Sequence, residues 1–297
     1  MNIGIIGGGS IGMFFSACLH DSFNVTQYTR KQVQADEICQ NGLWVEENGG
    51  KNRINLQARS LQVKEASRED VLFIAVKQYH LQALETFLCS LPVSIPLIFL
   101  QNGMGHLAFL EKLPQQHLFV ATIEHGVFRK DQNSIHIRGR GKTNIALFRG
   151  NPETIKQIMS TSIKEFPFHW HNQYQKMLLE KLFANAVINP LTAILKVKNG
   201  ELISNPYYYS LMKQVFSEVA NVFDGNEQDF QNIEAICKKT ANNRSSMLRD
   251  IEDGRPTEIE AIIGYIINEA KKMKRTLPVC TAIYSMICGM EGKEEGL

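Results

Sequence analysis

The hydrophobic positions of this chain change rhythm once, a little past its middle. Through the first half, short apolar runs recur at 2–6, 24–28, 71–76, 96–101 and 118–123, separated by polar, helix-favouring stretches. Such runs are too short for helices and predict buried strands; their alternation with helical segments predicts a parallel sheet with covering helices. The stretch "VFRKDQNSIHIRGRG", followed by "TNIALF", alternates apolar and polar residues and predicts antiparallel strands added at the sheet edge. A helix over 152–165 and a short strand over 168–170 are expected to close this half.

Beyond residue 173 the strand rhythm disappears. "YQKMLLEKLFANAVINPLTAIL" has helical periodicity, with an interruption expected at Pro190. "NGELISNPYY" reads as a loop, and helices are predicted over 207–224, 228–250, 257–274 and 278–289. Thr257 and Glu260 stand at capping-box spacing at the start of the third of these. The pattern predicts an α/β domain over 1–170 and an all-helical domain over 171–297, with a cleft between them as the expected ligand site. A length of 297 residues accords with two domains.

Composition narrows the class. Hydrophobic residues make up 44% and charged residues 21%, enough apolar surface for real cores. A net charge of +2 makes no electrostatic case for nucleic acid or an anionic membrane as partner. No apolar run approaches the ~20 residues of a membrane span, and no basic segment precedes the first apolar run as in a signal peptide. The six cysteines are scattered without a Cys-x-x-Cys pair and read as reduced thiols of a cytoplasmic protein. His169 and His171 lack a third ligand at useful spacing, so no metal site is expected.

The candidate chemistry begins at "GGGSIG", residues 7–12, directly after the first strand. Gly7 permits a tight turn, Gly9 lets backbone approach a pyrophosphate, and Gly12 lets the following helix pack close to the strand. With Gly8, Ser10 and Ile11 this forms a Rossmann-type dinucleotide cradle, the helix N-terminus offering N–H groups and a positive dipole end. In such folds an acid ending the second strand holds the ribose hydroxyls of NAD; here Arg30 and Lys31 stand there. A guanidinium pairs with a ribose phosphate that an acid would repel, which favours NADP(H). Lys77 and Asn102 follow two other strands, at the ends that face a ligand crevice. Lys181, Asn185 and Asn189 recur every fourth residue and share one face of the long apolar helix. By themselves these three fit a polar surface stripe as well as a binding face. Asn243, Ser246 and Glu258 add further polar candidates.

Together, "GGGSIG", Arg30, "VKQYH", "QNGMG", "EKLFANAVINPLTAI", "NGEL", "SSMLRD" and "PTEIEAIIG" resemble the ketopantoate reductase family, in order and over nearly the whole chain. The resemblance implies a Rossmann domain joined to a helical domain related to that of 6-phosphogluconate dehydrogenase. It implies reduction of 2-dehydropantoate, the small-molecule partner, to (R)-pantoate with NADPH, on the route to pantothenate and coenzyme A. Lys181 matches the family's proton donor and Glu258 a glutamate at the mouth of cofactor and active site. Asn185, Asn189, Asn199 and Ser246 match substrate contacts, Asn243 lies beside them, and Asn102 matches an asparagine touching cofactor and substrate. Val127 matches a main-chain contact to the nicotinamide end, although the spacing there differs. The expected assembly is a monomer or homodimer. The alternatives are a reductase of another branched 2-keto acid and a non-catalytic NADPH sensor, the latter having no need of Lys181.

Overall fold

The computed structural model describes residues 1–161 and 166–292. Its contacts divide the chain into two compact units: Met1–Gln101 with Leu107–Met177, and Asn102–His106 with the chain from Leu178 onward.

In the first unit β1 (Asn2–Ile6), β2 (Asn24–Thr29), β5 (Gln57–Ser60), β6 (Val71–Ile74), β7 (Leu97–Phe99), β8 (Leu118–Ile123), β11 (Thr143–Arg149) and β12 (Phe168–His171) form an eight-stranded sheet. Its order is β12-β11-β8-β7-β6-β1-β2-β5. From β5 to β8 every pair is parallel; β11 joins β8 antiparallel. Ile3, Ile5, Phe73, Ile98 and Phe119 are fully buried, so the inner strands read as unbroken apolar runs rather than alternating ones. Strand β1 lies between β2 and β6. The strand order reverses there, at the switch point where open α/β sheets take their ligands.

Helices α1 (Ser10–Leu19) and α2 (Gln32–Asn41) follow β1 and β2; α3 (Val63–Ala66), α4 (Glu85–Cys89), α5 (Leu107–Lys112) and α6 (Glu153–Ser160) complete the unit. The last part of the helix expected over 152–165 lies outside the described residues. Phe14 and Phe15 of α1 meet Phe166 edge-on, with centroids 5.4 Å and 4.9 Å away. Only β11 extends the main sheet as expected. The alternating strands before it, β9 (Gly126–Asp131) and β10 (Ser134–Gly139), join β3 (Leu43–Glu47) and β4 (Gly50–Ile54) in a second sheet of order β4-β3-β10-β9. Alternation marks a strand with one wet face but does not say which edge it will pair with. The β3–β4 hairpin turns through Asn48 and Gly49 at φ of 51° and 80°, and that Asn-Gly pair was its signal in the sequence.

The second unit is helical: most of α7 (Tyr174–Leu195), then α8 (Glu201–Ser204), α9 (Pro206–Phe223), α10 (Glu227–Lys239), α11 (Ser246–Glu252), a π-helical segment over Glu260–Gly264, α12 (Tyr265–Lys272) and α13 (Pro278–Met290). Several expectations change here. Helix α7 runs unbroken through Pro190, whose missing N–H costs one backbone bond, while Leu191, Thr192 and Ala193 continue fully buried. The loop expected at "NGELISNPYY" holds α8, and Asn205 then caps α9 by accepting from the N–H groups of Tyr207 and Tyr208. The helix expected over 228–250 breaks between Lys239 and Ser246, because Ser245 caps a new helix through the Leu248 N–H. The expected Thr257–Glu260 box does not close. Thr257 accepts from the Ile259 N–H, but the Glu260 carboxylate accepts from the Tyr284 hydroxyl at 2.5 Å. By length and composition α7 could cross a membrane, against expectation; 67% of its most apolar window is buried within the protein, as in a core helix.

His125 reports on the packing of the first unit. It stacks on Phe166, accepts the Gly141 N–H at Nδ1 (3.1 Å), and so donates from Nε2 to Thr143 Oγ1 (3.2 Å). Burial first, then the charge of Arg140, lower its pKa from 6.5 to about 4. A second proton would have to face the Gly141 N–H. With the folded pKa depressed, the unfolded chain takes the proton first, so this stability is full above pH 6.5 and is lost as pH falls toward 4. Both tryptophans, Trp44 and Trp170, lie in this unit and report its unfolding. The urea midpoint of tryptophan fluorescence should fall between pH 6.5 and 5. His125→Gln should flatten that fall; an unchanged slope would count against the assignment.

Candidate functional site

The glycine turn has the backbone the sequence demanded. Gly7 sits at φ +121°, closed to ordinary side chains, and its N–H donates to the Tyr28 carbonyl at 2.9 Å. A Cβ on Gly12 would lie inside the van der Waals surface of the Gly7 carbonyl oxygen, so only glycine lets α1 approach this closely. Gly9, the residue before the helix, is extended, has open space where a side chain would project, and brings no capping group. The first N–H groups of α1 thus face an uncapped opening, the arrangement a pyrophosphate requires. The turn fits a dinucleotide.

The strand ends beside it carry positive charge. Arg30 is exposed directly after β2, where the buried Thr29 hydroxyl holds the Lys31 carbonyl at 2.9 Å. His80 lies close enough to feel Arg30: burial, then the guanidinium, lowers its pKa. Lys77 is half-buried beyond β6. Val127 pairs with Ile137 in the second sheet, and its partly buried side chain packs on the core. Two residues on, Arg129 reaches the glycine turn, donating from Nη1 to the Gly8 carbonyl at 3.1 Å. Gln34 of α2 donates to the same oxygen at 2.8 Å. Neither residue was a sequence candidate, for no local pattern links positions so far apart.

In the second unit the structure joins two candidates directly. Asn102 donates from Nδ2 to Glu258 Oε2 at 2.7 Å. Glu258 is 8% exposed and stands just before a helical turn. The following Gly103, at φ +77°, lies against the Ala261 carbonyl with no room for a Cβ. Lys181, Asn185 and Asn189 lie on one face of α7; Asn185 is buried and the other two half-buried. This is not a solvated stripe.

Helix α7 is then tied to the start of α11. Thr192 donates from Oγ1 to Ser245 Oγ at 2.7 Å, within 3.5 Å of which lies the Asn189 carbonyl. Ser245 is the cap, so Ser246, one residue on, keeps an exposed hydroxyl at the helix start. The Asn199 N–H donates to the Asn243 carbonyl at 3.0 Å, and its side-chain Nδ2 to Thr240 at 2.9 Å. That leaves Asn199 Oδ1 buried and without a partner among the described residues. Asn243 is exposed. Elsewhere, an open polar depression of about 910 Å³ lies over β3, β4 and β10, lined by Trp44, Lys51, Arg53 and Lys130 among others; it contains none of the sequence candidates.

The family models and the curated relatives point to one family. Residues 3–150 match the family model described as "Ketopantoate reductase PanE/ApbA", and residues 173–291 its C-terminal counterpart. The chain is 37% identical over 295 residues to a 2-dehydropantoate 2-reductase of Listeria innocua, covering 99% of this chain and 98% of that one. It is 37% identical over 274 residues to one of Bacillus subtilis, covering 91% of each. A solved structure of a probable 2-dehydropantoate 2-reductase from Bacillus subtilis matches with a TM-score of 0.90 at 34% identity, over 98% of this chain and all of that one.

Gly103 tests the local frame of Asn102. Gly103→Ala places a side chain at positive φ, costing about 1–3 kcal/mol from strain alone, with the clash against Ala261 added. The urea-unfolding free energy should drop by at least that strain. A variant as stable as wild type would show that the turn can relax away from Ala261.

Proposed function

The chain belongs to the ketopantoate reductase family, and from that membership we infer that it reduces 2-dehydropantoate to (R)-pantoate, an NADP-dependent oxidoreductase reaction of pantothenate biosynthesis. The observation that carries this reading is the match of both halves of the chain, with the glycine turn intact in the first. Bound NADPH supplies the hydride that reaches the keto carbon.

The chain's own residues divide the remaining work. Gly7, Gly8, Gly9, Ser10, Ile11 and Gly12 hold the pyrophosphate, and Arg30 pairs with the ribose phosphate through charge-assisted hydrogen bonds. Lys77, the Val127 main chain, Asn102 and Glu258 complete the cofactor's surroundings. Reduction places negative charge on the ketone oxygen; Lys181 Nζ stabilises that charge and delivers the proton. Glu258 accepts from the Asn102 amide and so fixes the orientation of that side chain. Asn185, Asn189, Asn243 and Ser246 grip carboxylate and hydroxyl groups without competing as bases. Asn199 fits an acceptor's role, since its Nδ2 is taken by Thr240 while Oδ1 is not.

Purified protein mixed with NADPH and 2-dehydropantoate should consume reduced nicotinamide, followed by its absorbance, and should favour this substrate in kcat/KM over other branched 2-keto acids. No consumption would overturn the reading. Lys181→Ala should lower kcat by about 10²- to 10⁴-fold, the range of general acid catalysis, with NADPH affinity unchanged. Turnover near the wild-type rate in a folded variant would sink the mechanism. Arg30→Ala should weaken NADPH roughly 10- to 100-fold and NADH little, since a hydrogen bond to a charged group is worth about 1.5–3 kcal/mol. Equal loss for both nucleotides would show that Arg30 does not read the phosphate.

A further inference from the structure

We propose that Arg129 is a cofactor-positioning residue that pairs with the pyrophosphate of the bound dinucleotide; this rests on the NADPH-dependent reading above. The Gly8 carbonyl is held by two donors, Gln34 Nε2 at 2.8 Å and Arg129 Nη1 at 3.1 Å. In a planar trans peptide the Gly8 carbonyl and the Gly9 N–H point in opposite directions. Two donors on that oxygen therefore fix the direction of the Gly9 N–H in the turn. Gln34 also donates to the Gln132 carbonyl at 2.8 Å, so the β9–β10 turn, α2 and the glycine turn share one amide.

Arg129 brings more than a hydrogen bond. Its Nε donates to the Asp131 carbonyl at 2.9 Å, which with the Gly8 bond aims the guanidinium at the turn. Those two bonds leave most of its five N–H groups for another partner. Partial burial lowers its pKa although the side chain stays largely exposed, and the charge of Asp131 opposes that shift. Among the described residues Arg129 forms no ion pair; its hydrogen-bond partners are neutral carbonyls. Arg129 is exposed, so the rest of its guanidinium is open to an incoming anion. The opening beside Gly9 is where the turn accepts phosphate. The pyrophosphate is common to NADPH and NADH, whereas Arg30 faces the group that distinguishes them. The two arginines therefore predict different signatures.

The experiment measures dissociation constants for NADPH and NADH, by calorimetry or nicotinamide fluorescence, in wild type, Arg129→Gln, Arg129→Lys and Arg30→Ala. Arg129→Gln should weaken both nucleotides by the same factor, about 10-fold or more for loss of a charge-assisted bond, with kcat at saturation little changed. Arg129→Lys should recover part of the loss, since an ammonium restores charge but not the planar fork. Arg30→Ala should instead change the ratio of the two affinities. Wild-type affinity for both nucleotides in folded Arg129→Gln overturns the proposal, as does a loss confined to NADPH. If Arg129→Gln does not melt cooperatively, Arg129→Lys carries the comparison, with a weaker but equal loss expected and no loss overturning it. Wild-type protein that binds neither nucleotide would instead refute the functional reading.

Discussion

The contact between Gly12 and the Gly7 carbonyl governs the first unit. Strand β1 is buried on both faces, and helix α1 must leave its end at once and pack back onto the sheet. A single methyl group at position 12 would collide with the turn it grows from. Because the helix can approach, Phe14 and Phe15 reach Phe166 and close the core. The same approach points the helix N-terminus, uncapped, at the space beside Gly9. Core packing and the uncapped opening at the turn thus depend on the absence of one Cβ.

The second unit solves a different problem, which is keeping polar groups inside an apolar frame. Helix α7 is mostly buried yet carries a lysine and two asparagines along one face. Thr192 Oγ1 lies within hydrogen-bond reach of the Ile188 and Asn189 carbonyls, in the turn where Pro190 stands, and of Ser245 Oγ, so one hydroxyl links the helix to the start of α11. The Asn199 amide nitrogen ties its loop to α10 through Thr240, its Oδ1 alone staying unpartnered among the described residues, and Asn102 is held by Glu258. Buried polar groups satisfied in this way specify one arrangement, since any other leaves donors or acceptors unpaired. A reductase needs that fixity, because a proton donor must stand at one place relative to one oxygen.

Charge is distributed accordingly. Cations stand at the strand ends and turns of the first unit, at Arg30, Lys77 and Arg129. The candidates of the second unit are mostly neutral amides and a hydroxyl, with Lys181 as the cation on α7 and Glu258 as the anion beside Asn102.

Much of this was legible in the sequence because its causes are local. A buried parallel strand is a short apolar run, a dinucleotide turn is a glycine spacing, and a helical face is a residue every fourth position. Residues 7–12, Arg30 and the Lys181–Asn185–Asn189 face were singled out in that way, and the family resemblance added Asn199 and Val127. What failed depended on pairing at a distance. The alternation of β9 and β10 was plain, but the strand that accepts β10 is β3, with Ser134 opposite Trp44. The helix expected over 228–250 was continuous in its periodicity, yet Ser245 caps a new helix while bonded to Thr192, 53 residues away. Arg129 meets Gly8 across 121 residues, and Glu258 meets Asn102 across 156. Periodicity and turn chemistry report what a residue does to its own backbone. Which edge a strand joins, and which carbonyl a guanidinium reaches, is settled only when separate elements compete for the same surface in the folded chain.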